Sequence, residues 1–282
     1  MTGANADQRD FWSDQAGPIW VAQMAAMDRA LQPVLDCVLE QAALGPGQRV
    51  MDVGCGAGTS TLAAGEIVGA GGRATGIDIS ASLLARAESR AAHLPQVCFL
   101  RTDAQTHAFE PASFDAMISR FGVMFFDDFK VAFRNIGTAL RPGGTMTFAT
   151  WGPIPDNPYF TLPARIAKRV IGEKPRTDPD APGPFALRDT ARGREILEAA
   201  GMVEIGAEEI DLDLTPAGDV RAVAELMCEI GPAQSVMAYF EAGPADRAAL
   251  IDEIAAALAP FVTDTGIRLP ARINLFTARK PA

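Results

Sequence analysis

The residues best suited to chemistry open at Val50-Met51-Asp52-Val53-Gly54-Cys55-Gly56-Ala57-Gly58-Thr59-Ser60-Thr61. An apolar run ends in an acid, three glycines alternate with small residues, and a polar cluster starts a helix. Glycine at alternate positions lets backbone N–H groups approach a ligand that any Cβ would hold away. A dinucleotide fingerprint would read G-x-G-x-x-G, whereas Thr59 follows Gly58 here, leaving D-x-G-x-G-x-G. Cys55 stands where a helix N-terminus could activate a thiol, but its small size alone explains it. Asp78 follows in Thr75-Gly76-Ile77-Asp78-Ile79-Ser80. An acid there, about 20 residues beyond a glycine loop, can accept from both hydroxyls of a ribose. It could also simply cap the next helix.

Two further clusters follow. Leu100-Arg101-Thr102-Asp103-Ala104-Gln105 puts an acid at the end of another apolar run, where it could merely turn the chain. Ser113-Phe114-Asp115-Ala116-Met117-Ile118-Ser119-Arg120-Phe121 delivers Ser119 and Arg120 to a strand end. Ligands of open α/β sheets bind at that edge, so Arg120 could orient an anionic or carbonyl-bearing molecule. Its structural alternative is a salt bridge to an acid such as Asp127 or Asp128. His93 and His107 are the only imidazoles. His107 is a weak candidate for a general base, chosen because histidine titrates near neutral pH. Met117, Met124 and Met146 read most simply as core residues.

The elements that must position these groups alternate. Strands are expected at Arg49–Val53, Ala74–Asp78, Val97–Arg101, Asp115–Ser119, Thr145–Thr150, Glu204–Asp213 and Ile273–Arg279. Helices fit the apolar spacing of Leu31, Val34, Leu35, Val38 and Leu39, of Leu83, Leu84, Ala87 and Ala91, and of Phe129, Ala132, Phe133, Ile136 and Leu140. Thr59-Ser60-Thr61 reads as the cap of the helix after the glycine loop, Ser80 as a second cap, and Asp127 or Asp128 as a third. Further helices are expected near Leu162–Ile171, Asp189–Ala200 and through 219–262. This rhythm means a doubly wound, mostly parallel seven-stranded α/β sheet with helices on both faces. The expected organisation is an N-terminal helical segment, 1–48, covering a bound molecule. A Rossmann-like core at 49–151 follows, then a proline-rich insertion at 152–188, more core at 189–218, a helical insertion at 219–268 and a last core strand in 269–282.

Taken in order, the D-x-G-x-G-x-G loop, Asp78, Asp103, the run ending at Ser119 and Leu140-Arg141-Pro142-Gly143-Gly144 resemble the motifs of class I S-adenosylmethionine-dependent methyltransferases. They are similar to the broad group that includes ubiquinone and menaquinone methyltransferases. The resemblance covers about half of the chain strongly. It implies that Gly54, Cys55, Gly56 and Gly58 meet the methionine end of S-adenosylmethionine with help from Asp52. It also implies that Asp78 takes the ribose, that Asp103 and Ala104 take the adenine with Ile79 against its face, and that Ser119 offers its carbonyl and hydroxyl near the amine. Trp12 and Trp20 fit the family's N-terminal cover. An apolar acceptor pocket is expected from Trp20, Arg120, Phe121, Met124 and Tyr159, with Tyr239 a weaker member. The proline-rich and helical insertions would form a mainly helical lid, or alternatively a homodimer contact. The product would be S-adenosylhomocysteine, and no metal is implied.

The whole chain limits the alternatives. With 282 residues, 48% hydrophobic and 21% charged, it reads as a globular protein. Its net charge of −10 argues against nucleic acid and against an anionic membrane surface as partner. Four scattered cysteines and no leader-like start read as reduced and cytoplasmic. An NAD(P)-dependent oxidoreductase shares the acid after the second strand, but Thr59 counts against it. A non-catalytic S-adenosylmethionine-binding protein keeps the same motifs. The sequence leaves open the methyl acceptor and whether a base is used.

Overall fold

Why the strands stack as they do is visible in their burial. The computed structural model describes residues 4–175 and 177–282, so the first three residues of the N-terminal segment lie outside the described residues. β1 (Arg49–Val53), β2 (Arg73–Asp78), β3 (Val97–Arg101), β4 (Phe114–Arg120), β5 (Leu140–Trp151) and β6 (Val203–Leu214) join a later strand in one seven-stranded sheet. That later strand is β9 (Leu269–Arg279), which follows the two-residue pair β7 (Val262–Thr263) and β8 (Gly266–Ile267). The order is β3-β2-β1-β4-β5-β9-β6. The first five are mutually parallel, and β9 runs antiparallel to both β5 and β6. The expected sheet is therefore observed. Ala116, Ile118, Ala149 and Trp151 belong to the apolar cluster on one face, while Met51, Met117, Met146 and Phe148 belong to the cluster on the other. Both faces are covered, as a parallel sheet requires.

β9 begins at Leu269, four residues before the expected start. Leu269 and Ala271 are buried and pair with Leu214 and Leu212 of β6, while Pro270 sits exposed between them. β5 begins at Leu140, which was expected on the face of the preceding helix, and not at Thr145, a register shift between Phe114 and Ala116 accommodating the chain of Pro142-Gly143-Gly144.

The helices before the sheet are α1 (Ala6–Asp10), a π-turn at Phe11–Gln15, α2 (Ala16–Ala22), α3 (Met24–Ala30) and α4 (Gln32–Ala42). Within it come α5 (Thr59–Val68), α6 (Ala81–Ala91), α7 (Phe129–Ala139), α8 (Pro158–Val170) and α9 (Thr190–Ala199). α10 (Val220–Glu229), α11 (Pro232–Tyr239) and α12 (Pro244–Leu258) follow. Leu250, Ile254 and Leu258 of α12, Met227 of α10 and Ile166 of α8 share one apolar cluster with α4 and the adjoining sheet face. The segment 219–268 is thus anchored in the main core. Asp128, not Asp127, caps α7 by accepting from Val131 N–H.

The end of β1 touches the chain leaving β4. Gly54 has φ +68°, and a Cβ there would lie 2.4 Å from the Cα of Gly122. At Gly69, φ is +64° but a Cβ would meet nothing within 4 Å. Replacing Gly54 by alanine combines backbone strain with overpacking and should cost about 2–4 kcal/mol in urea unfolding. Gly69→Ala carries the strain alone and should cost roughly 1–2 kcal/mol. Equal losses for the two variants would refute a packing role for Gly54.

Candidate functional site

The glycine loop is held from below by the second strand. Gly54 and Cys55 both donate their backbone N–H to the Ile77 carbonyl, at 2.8 and 3.1 Å. Asp78 fixes its other side, one carboxylate oxygen accepting from Gly56 N–H and the other from Ser80 N–H, each at 2.8 Å. Burial raises the Asp78 pKa against these backbone donors. Asp78 therefore shapes the loop as well as facing its edge, a role the sequence reading missed. A Cβ at Gly58 would press on Ala87 and Phe99, but one at Gly56 (φ +55°) would enter open space. Burial pushes the Cys55 thiol pKa far up, which leaves it unreactive.

Asp52 is the most enclosed acid. Ser60 and Thr61 both donate their hydroxyls to its Oδ2 at 2.6 Å, while Oδ1 is buried without a partner. Loss of solvation is the main influence on this group and pushes its pKa up to about 6. The Thr59-Ser60-Thr61 cluster thus does not cap α5, whose N-cap is Gly58 with no side-chain cap. Its hydroxyls go to carboxylates, the buried Asp52 and the half-buried Asp28, in charge-assisted hydrogen bonds. Thr59 turns the other way, donating at 2.6 Å to Asp28 of α3.

Asp28 also receives Arg120 at 3.3 Å and Arg90 at 3.4 Å. The salt bridge read as the structural alternative for Arg120 is thus observed, with Asp28 of α3 as the acid in place of Asp127 or Asp128. Arg120 keeps its Nη1 buried and unpartnered. Arg90 donates onward to the Ala57 carbonyl at 2.8 Å, so the glycine loop, α6 and α3 are linked through two arginines. Ser119 was expected to offer a hydroxyl to a ligand. That hydroxyl instead donates to the Val53 carbonyl at 2.7 Å and accepts from Gly122 N–H at 3.1 Å.

At the end of β3, Asp103 accepts from the Asn5 side-chain amide on both oxygens, at 3.0 and 2.9 Å. Asn5 is 4% exposed, also donates to Gln105 and accepts from Asp127 N–H. The Ala104 carbonyl accepts from Asn135 at 2.9 Å. Ile79 follows Asp78 at the loop edge and is half-buried. The His107 ring is engaged with Thr102 through Nδ1 at 3.1 Å and lies edge-on to Phe109. Asn5, Asp28 and Arg90 were not found from sequence; only their charge or amide marks them, with no motif spacing.

Two aromatic groups stand over the same edge. Trp12 meets Trp20 at 5.9 Å and Phe125 at 5.2 Å. Phe121, at φ +64°, stacks on Trp151 at 4.2 Å, and Trp151 continues to Phe160 at 5.0 Å. Met124 is buried, and the buried Tyr159 hydroxyl lies 3.6 Å from the Met27 sulfur. Tyr239 is 55% exposed with its ring against Phe240, apart from both groups. Among the described residues no cluster of three or more His, Cys, Asp or Glu could hold a metal ion.

Residues 50–144 match the family model described as a methyltransferase domain. A demethylmenaquinone methyltransferase of Staphylococcus aureus (strain MRSA252) is 34% identical over 107 residues, 38% of this chain and 44% of that protein. The corresponding protein of Staphylococcus haemolyticus is 34% identical over 98 residues, 35% of this chain and 41% of that one. The chain thus spans less than half the length of these curated relatives. Haemonchus contortus phosphoethanolamine N-methyltransferase 2 in complex with S-adenosyl-L-methionine superposes with a TM-score of 0.61 at 21% identity, over 97% of this chain and 60% of that one. The YcgJ protein of Bacillus subtilis gives 0.56 at 16% identity, over 88% and 98%. Both structural likenesses are of fold. The class I methyltransferase resemblance read from the motifs holds over the matched core.

The buried acid has a measurable consequence. The Asp52 carboxyl titrates near 3.8 when exposed and near 6 when folded. Between those values the folded state binds more protons, so this group's contribution to stability falls as pH rises from 4 to 6 and is flat above. The loss is on the order of 3 kcal/mol. Subtracting the Asp52→Asn unfolding curve from that of the natural protein isolates it. A difference that is constant from pH 4 to 7 would contradict the shift.

Proposed function

We propose that this chain is an S-adenosylmethionine-dependent methyltransferase acting on a small-molecule acceptor. The observation that carries the reading is the glycine loop, where a Cβ at Gly56 would meet nothing within 4 Å and the Gly56 N–H is fixed by Asp78, next to Asp52 buried at the end of β1. An acceptor oxygen of Asp52 there lacks a partner, as expected where a cationic ligand group belongs. S-adenosylmethionine supplies a methyl group on a sulfonium, whose carbon–sulfur bond breaks, with its electron pair going to sulfur, as the acceptor atom bonds to the carbon. The chain's residues bind, orient and exclude water, which favours an in-line displacement. Asp52 with the Gly54–Gly58 backbone would hold the methionine end, and Asp78 the ribose. Asp103, Ala104 and Ile79 would hold the adenine. Asp103 already accepts from Asn5 on both oxygens, from Gln105 N–H at 2.8 Å and from the Thr106 hydroxyl at 3.4 Å, so an exocyclic amine would take the place of the long Thr106 contact.

The rings of Trp20 and Phe121, with Arg120, Met124 and Tyr159, would form the acceptor side, beneath a cover made of 1–48, 152–188 and 219–268. Phe121 stacked on Trp151 suits an acceptor with a flat apolar face. The curated relatives act on demethylmenaquinone by name, which is chemistry of that kind. The reading is for a cytoplasmic enzyme with no nucleic-acid or membrane partner; no described helix is long and apolar enough to cross a membrane. A homodimer contact is the other use open to α10–α12. Against a nicotinamide enzyme stands Thr59, which sits where the third glycine would be and is tied to Asp28.

Formation of S-adenosylhomocysteine with a panel of quinol, phenol and amine acceptors tests the activity; cofactor binding without turnover on any of them would favour a non-catalytic binding protein. Gly56→Val should weaken S-adenosylhomocysteine binding at least tenfold while unfolding stays cooperative, since the side chain enters the ligand's room. Unaltered affinity would make the loop a turn and not a cradle. Hydrogen exchange with S-adenosylhomocysteine should show protection in 5–30 as well as in the glycine loop. Protection confined to the loop and strand ends would count against a cover.

A further inference from the structure

A cavity of about 250 Å³ lies away from the glycine loop, walled by Arg29 at the end of α3, by the 215–218 turn between β6 and α10, and by 265–268 around β8. β9 is antiparallel to both β5 and β6, so β6 runs parallel to β5 and ends at the sheet edge that carries the loop. Two strand intervals, about 10 Å, separate it from β5. The walls are pinned together. Thr215 donates its N–H to the Ala30 carbonyl at 3.1 Å and its hydroxyl to the Arg29 carbonyl at 3.0 Å. Arg268 N–H donates to the Phe261 carbonyl at 2.9 Å, which holds the β7–β8 hairpin in place.

The charge of this cavity is one-sided. No acid lines it, although the chain carries 35 Asp and Glu against 25 Lys and Arg. The Arg268 guanidinium donates only to the Thr265 hydroxyl, at 3.4 Å, and among the described residues the Arg29 guanidinium has no partner. Asp219 and Asp264 adjoin the lining in sequence but are not part of it, and Asp219 is engaged in capping α10 through Ala222 N–H. Arg272 on β9 shows the contrast, being closed by Asp156, Glu209 and Asp211. Two guanidiniums from separate elements, left without a carboxylate, present donors that match an oxyanion. The volume falls below the roughly 300–1,000 Å³ usual for a whole ligand, so it suits a terminal group. We propose that Arg29 and Arg268 form a binding site for a terminal oxyanion, phosphate or carboxylate, of a small molecule. The site stands independently of the methyltransferase reading.

Calorimetric titration of the full chain with inorganic phosphate, and separately with acetate, at low ionic strength tests the site. At least one of the two should bind saturably. Arg29→Gln and Arg268→Gln should each weaken that binding roughly tenfold, as loss of a charge-assisted hydrogen bond predicts. Arg29 is exposed and Arg268 half-buried, so neither change empties the core. Arg268→Lys keeps the charge without the planar fork and should recover part of the loss, which separates charge from folding. Arg165→Gln, at an exposed arginine of α8, should leave binding within twofold. No binding of either anion would overturn the proposal. Binding that survives both glutamine variants, or that Arg165→Gln weakens as much, would mean an adventitious ion only and overturn it as well. The source of the oxyanion shows in turnover. Phosphate that raises the KM of a methyl acceptor at unchanged kcat would assign it to the acceptor's own tail, and phosphate that leaves KM unchanged would assign it to a separate molecule. Phosphate binding without S-adenosylhomocysteine binding would defeat the methyltransferase reading and leave this site standing.

Discussion

A carboxylate sealed inside the sheet edge, Asp52, is the constraint around which this end of the molecule is arranged. Burying it is unfavourable unless its oxygens are met. Two hydroxyls from the first turn of α5 meet one of them, which fixes how α5 leaves the glycine loop. The fixed loop then donates Gly56 N–H to Asp78, and Asp78 in turn organises the start of α6 through Ser80. Gly54 must tolerate Gly122 at van der Waals limits for β1 and β4 to end side by side. Only one oxygen of Asp52 is left over. A residue this enclosed, with half of its acceptor capacity unmet, is better explained by a ligand than by folding.

The N-terminal segment is built into the same arrangement and is more than a cover. Asn5 closes on Asp103 and Asp127 across more than 90 residues of chain, and Asp28 gathers Thr59, Arg90 and Arg120. The Trp12 carbonyl accepts from Ser80 at 2.9 Å. These contacts join the segment to residues at or just beyond the carboxyl ends of β1, β2, β3 and β4 and, through Arg90, to α6. Removal of the segment would therefore expose several charges and not merely an apolar face. The opposite flank, where α8 and α10–α12 share a cluster with the sheet, supplies packing instead. The family match ends at residue 144, before these helices begin.

Much of this was legible in the sequence for a physical reason. Buried parallel strands are short apolar runs, and the φ > 0 turns between them need glycine, so Arg49–Val53 with Gly54, Gly56 and Gly58 is readable without neighbours. Periodicity likewise found the faces of α6 and α7. What was illegible depends on partners distant in the chain. Ser60 and Thr61 look like a cap until Asp52 is seen beneath them. Arg120 looks bound for Asp127 or Asp128 until α3 places Asp28 nearer. Ser119 looks available until Val53 and Gly122 claim its hydroxyl. Asn5 has no pattern at all, because a single amide bridging two acids leaves no repeat in sequence. The start of β9 was hidden by Pro270, which reads as a strand breaker but here lies exposed between buried Leu269 and Ala271.

The central claim is that the unmet oxygen of Asp52 waits for a ligand cation. Calorimetry of S-adenosylhomocysteine binding near pH 6, repeated in buffers of different ionisation enthalpy, tests it most directly. A bound ammonium would lower the Asp52 pKa from about 6, so binding should expel a fraction of a proton near pH 6 and almost none at pH 8. NAD(P)H should produce no binding heat. Proton-neutral binding at pH 6, proton uptake, or binding of NAD(P)H in place of S-adenosylhomocysteine would contradict the claim.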